Sequence, residues 1–203
     1  MHDPILILTG SEEGPFLKAK LQNHAPDAVI EIVHDKKDLQ LAAQRALYCD
    51  ALYPRLVSFC TDVIVASDIL EVFKGGAYNF HPGSPDYPGS HAASFAIYDE
   101  VQSYGVTAHE MLSVVDSGAI VGIETFAVPA DCRFMDLEIL AYQNLLNLFD
   151  RLAPHLIVTN QPLMPLNVSW GTNKRTRKDF ECMKLVSGDM SEAEIRLRWR
   201  AFG

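Results

Sequence analysis

Three short motifs supply an amide, an imidazole and a carboxylate, each where a strand is expected to meet a loop. They read Asn-Phe-His-Pro-Gly at 79–83, Gly-Val-Thr-Ala-His at 105–109 and Val-Asp-Ser-Gly at 115–118. Asn79 and His81 are two positions apart, so on a strand their side chains share one face. Asp116 belongs to a later segment and completes a site only if the fold returns it there. Together the three groups can polarise a carbonyl, stabilise an oxyanion and manage a proton, as transfer of an acyl group to an amine requires.

Strands and helices alternate in the first half of the chain, and this pattern places the first motif at the end of a strand. We predict strands at 4–8, a continuous apolar run, and at 28–33, 55–60 and 77–81, and we predict helices at 14–24, 39–48 and 67–73. Ser67 is expected to cap the last of these helices. The alternation predicts an α/β fold with a Rossmann-like, largely parallel sheet and helices on both faces. Ligands bind at the carboxyl ends of strands in such sheets, which is where Asn79 and His81 lie.

The second half of the chain is less regular. We predict a helix near 90–100, strand-like segments at 106–111 and 119–128, and a long amphipathic helix at 134–152. The apolar stripe of that helix is expected to be core: Leu137, Leu140, Ala141, Leu145, Leu148 and Leu152. Beyond Pro154 we expect irregular chain as far as Ser191, which is predicted to cap a last helix.

Composition favours a single globular domain with a short appendage, because 48% of the 203 residues are hydrophobic and 21% are charged. The longest apolar runs are too short to span a bilayer, and the run after Asp3 lacks the basic start of a signal peptide. We therefore predict a cytoplasmic protein with no membrane partner. Cys49, Cys60, Cys132 and Cys182 are widely spaced, which predicts reduced, mostly buried thiols and no structural zinc.

Charge is distributed unevenly along the chain. The net charge of −9 argues against broad nucleic-acid binding. Residues 170–203 hold eight Lys or Arg against five Asp or Glu, a net +3, so the rest of the chain carries −12. Such a basic segment could bind a phosphate or pair with the acidic body, and a solvated face is the default expectation.

In their order and spacing, the three motifs resemble those of the formyltransferases that use 10-formyltetrahydrofolate. That family acts on glycinamide ribonucleotide, nucleotide-linked amino sugars and methionyl-tRNA, and it includes a hydrolase of the same cofactor. The resemblance covers residues 50–130 well and the start and tail more loosely. It implies the formyltransferase fold, with 10-formyltetrahydrofolate as co-substrate and no metal. It also implies that Asn79 donates to the formyl oxygen as it becomes an oxyanion, that His81 is a second donor or general acid, and that Asp116 sets the charge of His81 and relays protons.

The same resemblance implies where the pterin ring would lie. A flat heteroaromatic ring needs apolar walls with backbone donors and acceptors, so plain residue types suffice. The implied positions are Val63, Ile64, Val65, Leu70, Met111, Leu112, Ser113 and Val114. The alternative is that these are ordinary core positions, and for Ile64 and Leu70 both interpretations stay open.

Two further histidines lie near the motifs, and we leave both outside the catalytic set. His109 precedes Asp116 by seven positions and is expected to hold the turn that presents it, since it lies on the strand rather than at its tip. His91 could reach the mouth of the site from the loop after Gly89, but no motif supports a role for it.

Two loops depart from the pattern of the relatives. Where the ribonucleotide enzymes hold a phosphate with Gly-Ser-Asn, this chain carries Glu12, Glu13 and Pro15. Two carboxylates repel a phosphate and proline removes a donor, so glycinamide ribonucleotide is not the expected acceptor. After His81, many relatives read Pro-Ser-Leu-Leu-Pro-x-Tyr-Arg-Gly, whereas this chain reads Pro-Gly-Ser-Pro-Asp-Tyr-Pro-Gly, with Pro88 in place of Arg. The acceptor side of the site is therefore expected to be reshaped.

Residues 174–202 resemble the segment that lines the acceptor cleft in the amino-sugar and methionyl-tRNA relatives. We therefore predict a catalytic domain at 1–165 and a C-terminal extension at 166–203 that lines it or packs on it. The charge of the chain and the lack of a further domain disfavour methionyl-tRNA. The expected acceptor is a small-molecule amine, such as a nucleotide-linked amino sugar, and the resemblance allows a homodimer.

Two other functions stay open. One is hydrolysis of 10-formyltetrahydrofolate, although the hydrolase of the family carries an extra N-terminal domain and here the first strand begins at about residue 4. The other is a folate-binding sensor without turnover, in which an intact set of Asn79, His81 and Asp116 would be unexpected. The chain has no Gly-x-Gly-x-x-Gly after its first strand and no Gly-x-Ser-x-Gly, which argues against a dinucleotide site and a serine hydrolase.

Overall fold

The computed structural model describes residues 4–48 and 54–203, and its centre is a mixed six-stranded sheet. The strands are β1 (Ile5–Leu8), β2 (Ile30–Val33), β3 (Arg55–Phe59), β4 (Ala77–His81), β5 (Ser103–Glu110) and β6 (Ile120–Ala127). Their order is β2-β1-β3-β4-β5-β6. The first four are parallel, and β5 runs antiparallel to both β4 and β6. The predicted α/β class and largely parallel sheet are confirmed.

Helices cover both faces of the sheet, which explains why β1 is a continuous apolar run that is buried at every position. The helices are α1 (Glu13–Gln22), α2 (Lys36–Leu47), α3 (Ser67–Leu70), α4 (Ala92–Tyr98), α5 (Phe134–Val158), α6 (Arg177–Lys184) and α7 (Glu192–Phe202). Along β1, Ile5 and Ile7 join a large core cluster that includes residues of α1, α4 and α5. Leu6 and Leu8 join a smaller cluster with α2 and α3 on the opposite face.

The helix α5 extends further than predicted, to Val158 rather than residue 152, with Pro154 inside it. Buried contacts continue through this last part, because Leu156 and Ile157 are only 2% and 3% exposed. The buried Arg55 guanidinium donates to the carbonyl oxygens of His155, Leu156 and Thr159 at the helix end. Packing and this cap outweigh the cost of proline in a helix. The apolar stripe of α5 is core as predicted, with Leu137, Ala141, Leu145 and Leu148 fully buried.

Two other predictions need correction, and a third is confirmed. Ser67 is not an N-cap, because Ala66 already has extended backbone and Ser67 is the first helical residue. The stretch before Ser191 is not irregular throughout: α6 begins after Thr176, whose hydroxyl forms a capping box with Asp179. Ser191 does cap α7, accepting a hydrogen bond from the Glu194 N–H at 3.2 Å.

The thiols of the described residues are free, but they are not mostly buried. Cys132 is buried, Cys60 is half-buried and Cys182 is exposed on α6, which buries little besides Phe180. Cys49 lies outside the described residues. Within residues 4–48 and 54–203, none of the helices combines the length and apolarity needed to cross a membrane.

Candidate active site

Sheet register brings the first two motifs together. In the antiparallel pair of β4 and β5, Asn79 lies opposite His109 and His81 lies opposite Thr107. Tyr78 and Phe80 point into the large core cluster, so Asn79 and His81 point to the other face of the sheet. The amide nitrogen Nδ2 of Asn79 is 3.2 Å from Nε2 of His109.

The turn after β5 returns Asp116 to the same place. Its Oδ1 is 3.3 Å from Nε2 of His109, and its Oδ2 is 4.0 Å from Nδ1 of His81. The residue has a left-handed backbone, with φ +47°, which asparagine and aspartate tolerate better than most side chains. The structure thus gathers the three predicted catalytic residues around His109, while their roles stay predictions.

Asp116 is held as a carboxylate although its side chain is buried. Burial alone raises the pKa of the group, but hydrogen bonding from His109, the charge of His81 and the Gly89 N–H together outweigh it. The pKa of Asp116 is lowered to about 2. The Gly89 N–H donates to Oδ2 at 2.8 Å. Asp116 therefore carries a negative charge at neutral pH and can stabilise a neighbouring imidazolium.

His81 is held in its neutral form. Burial is the main reason why its pKa lies below the ordinary value, and the charges of His109 and Lys174 act in the same direction. The carboxylate of Asp116 and the hydrogen bond to the Tyr87 carbonyl oppose this shift without cancelling it. His81 can therefore accept a proton during a reaction and donate it again.

His109 connects the amide to the carboxylate. Its Nδ1 is 2.8 Å from the carbonyl oxygen of Glu110, which can only accept, so Nδ1 carries a proton. In the neutral ring, Nε2 then accepts from the Asn79 amide, and in the protonated ring it donates to Asp116. The contact with Asp116 fits the structural role predicted for His109, whereas the contact with Asn79 was not predicted.

A second set of residues forms one side of the site, and neither the role of Trp170 nor the pairing of its two segments was predicted. We call residues 85–90 and 168–175 the site wall. Backbone hydrogen bonds join its two segments: Gly171 donates to Pro85, Arg175 donates to Pro88, and Ser90 donates to Arg175. No motif in the sequence couples these segments, which are far apart along the chain.

Two side chains of the site wall contact the turn between β5 and β6 that carries Asp116, which we call the catalytic turn because of the role predicted for Asp116. Trp170 Nε1 donates to the carbonyl oxygen of Gly118 at 2.8 Å, and its ring meets His109 edge-on with centroids 5.0 Å apart. Lys174 donates from Nζ to the carbonyl oxygen of Val115. The site wall therefore fixes both sides of the turn that carries Asp116.

A cavity of about 500 Å³ lies between the catalytic turn and the site wall. Its lining comprises Pro88, Val114, Val115, Asp116, Ser117, Gly118, Ala119, Val168, Ser169, Trp170, Gly171 and Lys174. It thus combines apolar walls with one carboxylate, one ammonium and one indole. A ligand of moderate size could reach Asp116 through it.

The positions predicted for the pterin have mixed surroundings. Val65 is buried in the smaller core cluster, and Val63, Leu70 and Met111 are half-buried against that cluster. Ile64 is 68% exposed, so the alternative that it is a core residue is wrong. Leu112, Ser113 and Val114 are exposed, and of the eight positions only Val114 lines the cavity. Contact of this set with a folate stays a prediction.

His91 and the first loop are accounted for by other contacts in the structure. The His91 ring stacks on Phe180, with centroids 3.7 Å apart, which accounts for it without a catalytic role. Glu12 is exposed just before α1, and Pro15 lies in the first turn of that helix, where its missing N–H costs no helical hydrogen bond.

The strand order identifies the chain as an α/β protein of the open-sheet class. In that class ligands bind at the carboxyl ends of strands, where this chain has its polar cluster. Within that class, solved N-formyltransferases share the fold. One from Helicobacter canadensis, in complex with folinic acid and dTDP-3-aminofucose, has a TM-score of 0.72 at 21% identity, covering 100% of this chain and 81% of that chain. A sugar N-formyltransferase from a Shewanella species has a TM-score of 0.76 at 16% identity, covering 97% of this chain and 86% of that chain.

A larger protein contains the same fold as one part. HypX from Aquifex aeolicus, in complex with tetrahydrofolic acid, has a TM-score of 0.62 at 18% identity, covering 98% of this chain but 34% of that chain. No protein-family model matches the sequence. The similarity to these solved structures shows that the chain has the formyltransferase fold.

Proposed function

We propose that the protein is an N-formyltransferase that moves a formyl group from 10-formyltetrahydrofolate to an amine of a small-molecule acceptor. The observation that carries this proposal is the contact network of Asn79, His81, His109 and Asp116 at the carboxyl end of β4. The solved structures with this fold include complexes with folinic acid and with tetrahydrofolic acid, which supports a folate as co-substrate.

The geometry supports a route through a tetrahedral intermediate. The neutral acceptor amine attacks the formyl carbon and forms the new C–N bond, and the formyl oxygen becomes an oxyanion to which the Asn79 amide donates. His81 takes the proton that the nitrogen releases, and the carboxylate of Asp116 stabilises the resulting imidazolium. The bond from the formyl carbon to N10 of the folate then breaks, and His81 returns the proton to N10.

The charges near the cavity favour an anionic acceptor such as a nucleotide-linked amino sugar. Lys174 is exposed and lines the same cavity as Asp116, so it can attract a phosphate while the amine lies near the carboxylate. Glu12 and Glu13 disfavour a phosphate at the first loop. A relative with this fold was solved with dTDP-3-aminofucose, which supports the same class.

The organisation of the chain enters the proposal as well. We infer a catalytic domain at 1–165, with the extension at 166–203 forming the acceptor side through the site wall. A cytoplasmic location, a homodimer and the lack of a nucleic-acid partner stay predictions.

The test is consumption of 10-formyltetrahydrofolate by the purified protein, followed by absorbance. It would be run without amine and then with pooled amino sugars, their nucleotide-linked forms and amino acids. Amine-dependent loss of the formyl group, strongest with the nucleotide-linked pool, is the expected result. Loss that is independent of any amine would replace the transferase with a hydrolase. Folate binding without loss in any pool would instead favour a sensor.

A further inference from the structure

The ring of His81 occupies space that a side chain at position 83 would need. A Cβ built on Gly83 collides with Nε2 of His81 and would lie 2.9 Å from its Cδ2 and 2.8 Å from the Cβ of Ala92. The positive-φ glycines of the described residues are Gly76 and Gly89, so the Gly83 backbone is one that any residue can adopt. Space rather than conformation therefore requires glycine here.

The placement of the ring also fixes where its proton lies. Nε2 of His81 is 3.4 Å from the carbonyl oxygen of Tyr87, which can only accept a hydrogen bond. This contact favours the neutral tautomer with its proton on Nε2, in which Nδ1 presents its lone pair toward Oδ2 of Asp116, 4.0 Å away. Once Nδ1 gains a proton, the imidazolium and the carboxylate attract each other.

We propose that Gly83 is a positioning residue that lets the His81 ring lie against it, with Nε2–H on the Tyr87 carbonyl and Nδ1 as the nitrogen that carries the transferred proton. The inference rests on the proposed function, because the proton in question is the one released by the acceptor amine. The loop after β4 supplies both Gly83 and the Tyr87 carbonyl, so one segment sets the position of the ring.

A side chain at position 83 is expected to displace the His81 ring, and it also crowds the Cβ of Ala92. The colliding atoms of His81 are at the free end of its side chain, which can rotate about χ1 and χ2. Rotation breaks the bond to Tyr87 and moves Nδ1 away from Asp116. A misplacement of about 1 Å in a catalytic group lowers the rate roughly 10²-fold.

The test pairs NMR with kinetics on Gly83→Ser and on Gly188→Ser as the matched control. A Cβ at Gly188 meets no atom within 4 Å, so the control tolerates the same change. Protein labelled with ¹⁵N-histidine reports which ring nitrogen is protonated, and the His81 signals are assigned by their loss in His81→Gln. We expect Nε2–H in the wild type and the control, and a changed signal in Gly83→Ser. A proton on Nδ1 of wild-type His81 overturns the proposal.

The kinetic readout separates positioning from folding. In Gly83→Ser, kcat should fall roughly 10²-fold with little change in KM for the folate, and the acidic limb of the kcat–pH profile should shift. Charged and titratable groups that face His81 are Asp116, His109 and Lys174, and all three stay unchanged in this variant. An unchanged kcat and pH profile contradicts the proposal.

A double variant tests the competing explanation, crowding between residues 83 and 92. Gly83→Ala combined with Ala92→Gly removes that contact but leaves the collision with His81. We expect kcat to stay low in the double variant, and recovery would overturn the proposal. The NMR measurement needs no substrate, so it tests the placement of the His81 ring independently of the proposed function. If the protein transfers no formyl group, the proposed function and the role of Nδ1 are both refuted, whatever the NMR shows.

Discussion

Two neighbouring parts of the candidate site are held in place by different means. One is the cluster of Asn79, His81, His109 and Asp116, and the other is the site wall. Asn79 and His109 face each other because two paired strands share a register, and Asp116 follows in the next turn. The site wall instead joins two distant segments through a few backbone hydrogen bonds. The positions of Asn79, His81 and His109 are thus set by the sheet, whereas the proposed acceptor side of the site depends on loops. Changes in the cluster should therefore lower kcat, and changes in the site wall should alter acceptor binding or stability.

The largest effect is expected in the cluster from Asp116→Asn. Asparagine accepts the left-handed backbone and can still accept from the Gly89 N–H, so the fold should persist. The charge that stabilises protonated His81 is lost, and kcat should fall by roughly 10³-fold. The control is Asp150→Asn, which removes only a half-exposed ion pair with Lys20. Turnover close to wild type would remove Asp116 from the mechanism.

The amide of the cluster should matter nearly as much. Asn79→Ala removes the expected oxyanion donor, so kcat should drop by about 10²–10³-fold while KM changes little. Asn144→Ala serves as control, because that side chain donates only to the Leu140 carbonyl of its own helix. A rise in KM without a fall in kcat would indicate that Asn79 binds substrate instead.

In the site wall, Gly89→Ala should act mainly on stability. Gly89 has φ +99°, and a Cβ there collides with the carbonyl oxygen of Arg175, a backbone atom that cannot move aside cheaply. We expect a loss of at least about 2 kcal/mol in the free energy of unfolding, measured in urea. Gly188→Ala is the control. Wild-type stability in Gly89→Ala would show that the site wall is looser than the cluster.

Lys174→Met should separate binding from chemistry. The ammonium is expected to attract an anionic acceptor, so KM for that acceptor should rise roughly tenfold, about 1.4 kcal/mol, with kcat nearly unchanged. The difference should shrink at high salt. Lys178→Met, an exposed residue of α6, is the control. A kcat defect without a KM change would place Lys174 in the cluster instead.

The smallest effect concerns stability in mild acid. The folded-state pKa of His81 lies below its ordinary 6.5 because the ring is buried. The unfolded chain then binds the proton first, so this contribution is present above pH 6.5 and is lost as the pH falls below it. His81→Gln should therefore lose less stability than wild type between neutral pH and pH 5. The control is His91→Gln, because the pKa of His91 is also lowered by burial. An identical pH dependence of stability in wild type and His81→Gln would refute the lowered pKa of His81.

The sequence predicted the parts of the fold that depend on local patterns. The apolar run at 4–8 predicted a buried strand, and the ordered motifs indicated that Asn79, His81 and Asp116 belong together. The predicted end of α5 was wrong because the helix continues through Pro154, where its last turn packs in the core and the distant Arg55 donates to its carbonyl oxygens. The helix α6 was missed although Thr176 and Asp179 form a recognisable capping box.

The unpredicted part of the site depends on contacts between distant segments. Trp170 reaches the catalytic turn only after the chain has passed through α5 and returned, and no spacing rule connects it to Gly118. The link from His109 to Asn79 follows from the pairing of β4 with β5, whose exact register the sequence leaves open. Such contacts become visible only once the strands are placed.

The most direct measurement follows the formyl group itself. The protein would be incubated with 10-formyltetrahydrofolate labelled with ¹³C in the formyl group and with a nucleotide-linked amino sugar, and the products would be read by mass spectrometry, with Asp116→Asn in parallel. The account predicts label on the acceptor amine with the wild type and almost none with the variant. Label released only as formate, or equal labelling by both proteins, would contradict it.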